Sequence, residues 1–66
     1  MLNLINLKKI RREKGYSQAE IAEVLKIPQQ QYSRYENGKN EIPVRYVIEL
    51  CKIYKVSADE LLKIEE

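Results

Sequence analysis

The segment PQQQYSRYENGK, residues 28–39, holds five side chains built for one kind of chemistry. Wound as a helix at about 100° per residue, Gln29, Gln30, Ser33, Arg34 and Asn37 fall on one arc with no apolar residue among them. Tyr32 and Tyr35 share the opposite face with Pro28, and Gln31 lies at its margin. Glutamine is expensive to order and gains nothing from clustering in a small core. A merely solvated face would more often carry Lys and Glu. Amides and a guanidinium present donors and acceptors in fixed pairs: Gln matches the N6/N7 edge of adenine and Arg the O6/N7 edge of guanine. The arc therefore suits the reading of base edges in a major groove. The plainer alternative is an ordinary polar helix face.

Other chemistries find little support. There is no histidine, and Cys51 is the one cysteine, so neither an internal disulfide nor a Cys/His metal set can be drawn from the chain. The carboxylates lack a nucleophile–base set or a phosphate-binding loop, so no enzyme, cofactor or small-molecule ligand is expected. Cys51 is expected to be a buried structural thiol. Five tyrosines could stack on single-stranded nucleic acid. The inward phase of Tyr32 and Tyr35 and the scatter of the rest favour packing instead. The net charge of +2 is unevenly spread: residues 57–66 carry −3, leaving +5 on the first 56. That distribution suits a polyanionic partner, or solvated charge on a small domain. Asn3 and Asn6 break the apolar start, and its basic residues follow that stretch, unlike a secretory signal. No stretch is long enough to span a membrane. A cytoplasmic location is expected.

These residues need rigid elements to hold them. At 66 residues the chain is read as one domain, 1–66, of modest stability. Its punctuation divides it into five helices. The first spans residues 3–14, with Leu4, Leu7 and Ile10 on one side and Gly15 as its stop. Ser17-Gln18-Ala19-Glu20 is a capping box that opens a second helix to about residue 25, with Ile21, Ala22 and Leu25 inward. The third starts at Pro28 and ends at Asn37-Gly38. In the fourth, Val44, Val47, Ile48 and Cys51 keep the i, i+3, i+4, i+7 pattern of a core stripe, with Tyr46, Leu50 and Ile53 roughly opposite. Ser57-Ala58-Asp59-Glu60 opens a short fifth helix. No strand is expected, and the fold class is all-α.

Residues 18–37, QAEIAEVLKIPQQQYSRYEN, resemble the helix-turn-helix of the Cro and lambda-repressor (XRE) family of bacterial and phage regulators. Ile21, Leu25, Ile27, Tyr32 and Tyr35 stand at its apolar positions, and small Ala22 lets two helices approach. ENGK at 36–39 and VSADELL at 56–62 are similar to the family's recognition-helix ending and closing helix. The likeness covers residues 7–62. It implies a compact five-helix domain with a motif at 18–37, a recognition helix at about 28–37, and a sequence-specific regulator of double-stranded DNA, most simply a repressor.

The resemblance also implies roles. Gln29, Gln30, Ser33 and Arg34 would touch bases, and Gln18, Asn37, Lys39 and Arg45 the sugar-phosphate backbone. Arg11 and Glu36 would form an ion pair orienting the recognition helix. Two departures stand out. Lys26 takes the place of a frequent turn glycine, at about 1 kcal/mol if its backbone is left-handed. Pro28 takes the place of a Ser or Thr N-cap, removing a capping hydroxyl. A homodimer is expected through Tyr46, with Ala58 and Ile42 nearby, binding an inverted repeat. A protein-interaction module or an antitoxin on the same fold is the alternative.

Overall fold

The computed structural model describes residues 5–62, with side chains described for residues 7–61. Leu4 and residues 63–66, the last part of the acidic stretch 57–66, lie outside them. Five helices follow in order: α1 (Ile5–Glu13), α2 (Gln18–Leu25), α3 (Gln29–Glu36), α4 (Val44–Tyr54) and α5 (Ala58–Leu62). No strand occurs among the described residues.

Each boundary has a local cause. Gly15, with φ +83°, turns the chain out of α1. Ser17 Oγ accepts from the Glu20 backbone N–H at 3.0 Å, and Glu20 Oε1 accepts from the Ser17 N–H at 2.9 Å, closing the capping box of α2. At the end of α2, Lys26 takes the left-handed conformation, φ 60° and ψ 44°. That geometry lets the Ile27 N–H return to the Ala22 carbonyl at 3.0 Å. Pro28 stands at the N-cap of α3, one place outside the helix, with no side-chain cap. Gly38, at φ +74°, turns the chain away just after α3. Pro43 starts α4, Lys55 closes it in a second left-handed turn, and Ser57 Oγ accepts from the Glu60 N–H at 3.2 Å to open α5.

α2 and α3 pack closely on one another, α1 lies on α3 and α5, and α4 lies on α5. Their shared core comprises Leu7, Ile10, Ile21, Ala22, Leu25, Tyr32, Tyr35, Ile42, Val47, Leu50, Tyr54 and Leu61. Ala22 is buried on the inward face of α2, where its small side chain suits close helix packing.

α4 keeps part of the expected phase, with Val47 buried and Cys51 packed against the core, and departs from it at Val44 and Ile48. Val47, Leu50 and Tyr54 are buried, whereas Val44 and Ile48 are 68% and 50% exposed. Cys51 is half-buried and packs against the edge of the core. A helix that is apolar on two sides has no unique inward face by periodicity. Packing chose the side that brings Leu50, Tyr54, Tyr46 and Ile53 onto the core. Tyr54 also lies against Tyr16, with ring centroids 5.8 Å apart.

Candidate nucleic-acid interface

Tyr32 and Tyr35, both buried, fix the rotation of α3. That rotation turns Gln29, Gln30 and Arg34 outward as exposed side chains, with Ser33 half-buried beside them. The three consecutive glutamines do not share one role. Gln31 Nε2 donates to the Tyr35 hydroxyl at 2.9 Å, so this amide is committed within the helix. The i, i+4 spacing of Gln31 and Tyr35 is the sequence signal for that bond. Asn37 is exposed at the C-cap, and its Nδ2 lies 3.4 Å from Ser33 Oγ, a weak contact.

A buried polar network holds the C-terminal end of α3. Arg11 Nε donates to Glu36 Oε2 at 2.7 Å and Arg11 Nη2 to Glu36 Oε1 at 3.3 Å. The two side chains are 8% and 0% exposed. Arg11 Nη1 also donates to the Tyr16 carbonyl at 2.7 Å, which ties the turn after α1 into the same cluster. Gln18 Nε2 donates to Glu36 Oε1 at 3.0 Å. Gln18, expected at the phosphate backbone, is thus half-buried, and its amide group is engaged in orienting the glutamate. Burial pushes the Glu36 carboxyl upward, but hydrogen bonds from Arg11 and Gln18, the nearby Tyr32 hydroxyl and the charge of Arg11 outweigh it and hold the group below its ordinary value. Burial and the neighbouring Glu36 raise the Tyr32 phenol far above its ordinary range, and burial pushes Tyr54 up to about 12. The Tyr32 and Tyr54 hydroxyls are buried near these groups without a hydrogen bond of good geometry to either.

Beyond α3, Lys39 and Arg45 are exposed cations. Arg45 lies 4.7 Å over the ring of Tyr46, whose own ring is 6.1 Å from that of Tyr35. Tyr46 is thus half-buried and packed against the core. Ala58 is exposed. Ile42, expected beside Tyr46 at a two-fold seam, is 4% exposed and belongs to the core of the chain itself. The Ile42 side chain anchors the loop before Pro43 and has little surface left for a second chain. No group of His, Cys, Asp and Glu suited to a metal ion occurs among the described residues. No described helix is long and apolar enough to cross a membrane.

Two short helices at a tight left-handed turn, the second presenting a polar arc from a buried tyrosine face, define a helix-turn-helix domain. Comparison with known proteins makes the assignment specific. The sequence profile of a family described as "Helix-turn-helix" matches residues 7–61, and the chain belongs to this XRE-type family of DNA-binding transcriptional regulators. It is 47% identical over 57 residues to the SPbeta prophage-derived uncharacterized HTH-type transcriptional regulator YonR of Bacillus subtilis (strain 168), covering 86% of this chain and 53% of that protein. It is 40% identical over 58 residues to the uncharacterized HTH-type transcriptional regulator YqaE of the same organism, covering 88% of this chain and 50% of YqaE. Among solved structures, a transcriptional regulator from Listeria innocua superposes with a TM-score of 0.82 at 26% identity, over 92% of this chain and 57% of that one. The chain therefore spans about half the length of the curated relatives it matches.

Proposed function

We propose that this chain is a single sequence-reading domain that binds double-stranded DNA as a homodimer and acts as a repressor at an inverted-repeat operator. The observation that carries the reading is the exposed trio Gln29, Gln30 and Arg34 on a helix whose rotation is set by Tyr32 and Tyr35. These side chains would enter the major groove, with Ser33 beside them. Asn37, Lys39 and Arg45 would hold the backbone on one side of the groove, and Gln18 would do so at the start of α2 with the part of its amide not used by Glu36. Ala58 and the rim of Tyr46 are the parts of the expected seam that remain accessible.

Selection of random duplex DNA on the purified protein tests this. The expected product is an inverted repeat whose half-sites lie about one helical turn apart. Failure to enrich any sequence at low and at moderate salt alike would instead favour the protein-interaction module, whose binding need not fall steeply with salt.

A further inference from the structure

Arg45 and Tyr46 are neighbours in the first turn of α4. Adjacent residues on a helix point about 100° apart, so nothing in the helix itself brings these two side chains together. The Arg45 guanidinium nevertheless folds back to lie 4.7 Å over the centre of the Tyr46 ring. Its Nη2 is 3.4 Å from the Tyr46 hydroxyl, long for a hydrogen bond, so the ring face is the main contact. The Tyr46 ring is half-buried and leans on Tyr35, with centroids 6.1 Å apart and planes tilted at 47°. Tyr35 belongs to the core, and its hydroxyl accepts from Gln31 at 2.9 Å. A continuous stack thus runs from a buried side chain of α3 to an exposed cation at the start of α4.

We propose that Tyr46 is a positioning residue for DNA binding: its ring is a platform that holds the Arg45 guanidinium ready for a phosphate, at a fixed place relative to the base-reading arc of α3. The proposal rests on the reading of Arg45 as a backbone contact given above. Three physical points carry it. A long, exposed arginine loses rotamer freedom when it binds, and a side chain already laid on a ring has lost part of that freedom beforehand. The ring takes the flat face of the guanidinium and leaves the N–H donors in its plane, which are the groups a phosphate accepts from. Tyr35 both helps to fix the rotation of α3 and braces the Tyr46 ring. The side chains that read bases and the cation that grips the backbone are therefore indexed to one buried residue.

Binding to a duplex taken from the selection, together with side-chain NMR of the free protein, tests the platform. Tyr46→Leu removes the ring and keeps an apolar side chain against the core. It should weaken binding about two- to fivefold, the size of one exposed cation–π contact. Tyr46→Phe keeps the ring and should rescue that loss. In an Arg45→Ala background Tyr46→Leu should cost nothing further, whereas a purely structural tyrosine would cost the same in both backgrounds. In the free protein the Arg45 side-chain resonances should carry a ring-current shift in the native and Tyr46→Phe chains and lose it in Tyr46→Leu. Equal losses with and without Arg45, a Tyr46→Phe chain as weak as Tyr46→Leu, or Arg45 resonances indifferent to the ring would overturn the proposal. The DNA reading is judged separately, by the selection: a native chain that enriches no duplex fails there, while the ring-current measurement still decides whether Tyr46 holds Arg45.

Discussion

Arg11→Met keeps most of the Arg11 side-chain length and removes its charge from a carboxylate with no exposed surface. In the native protein Glu36 accepts two bonds from Arg11 and one from Gln18. After the substitution only Gln18 remains of these. Breaking a buried pair on one side costs about 3–5 kcal/mol, because the remaining charge is left uncompensated. A chain of 66 residues has roughly 3–10 kcal/mol in all, so the variant should lie close to its unfolding limit. With a urea slope of about 1 kcal/mol/M, a loss of about 3 kcal/mol moves the midpoint by about 3 M. The pH dependence should also reverse. In the native protein the folded Glu36 titrates below its ordinary value of 4.5. Its contribution is thus complete above that pH and is lost as the pH falls through the depressed folded value. In Arg11→Met the buried, unpaired carboxyl titrates above 4.5, so acidification from neutral pH should stabilise the fold. The double variant Arg11→Met/Glu36→Leu should recover most of the loss. Urea unfolding at pH 7 and pH 5 measures all three chains. A loss below about 1 kcal/mol, the range of exposed pairs, together with an unchanged pH profile, would refute the argument.

Gln29→Ala and Gln30→Ala should each cost about 1–3 kcal/mol of discrimination between the selected site and a scrambled one, measured by competition binding, with thermal unfolding unchanged. Gln31→Ala should do the opposite, losing about 1 kcal/mol of stability with the bond to Tyr35 and keeping sequence discrimination in the same assay. Lys39→Ala and Arg45→Ala should weaken binding to every duplex alike and lower the log–log salt slope by about one each; an unchanged slope would remove that residue from the phosphate contacts. Lys26→Gly should raise stability by up to about 1 kcal/mol, since glycine adopts the left-handed turn without the Cβ penalty, and chemical denaturation reads that directly.

Local chemistry in the sequence determined much of this protein. Ser17 and Glu20 close a box within four residues, and Asn37-Gly38 ends a helix by backbone preference. The 3.6-residue phase of Tyr32 and Tyr35 turns α3 so that Gln29, Gln30 and Arg34 face outward. Such features depend on neighbours along the chain, and a linear reading reaches them. The pairing of Arg11 with Glu36, 25 residues apart, is also marked by a resemblance in the sequence. That the pair is buried, and that it draws in the amide of Gln18 and the carbonyl of Tyr16, is decided by three segments meeting in space. Tertiary structure alone chose the inward side of α4. Two apolar stripes compete on that helix, and periodicity weighs them equally. The choice rests on contacts between segments distant in sequence, such as Tyr54 against Tyr16 and Tyr46 against Tyr35. That same choice places Val44 and Ile48 on the surface.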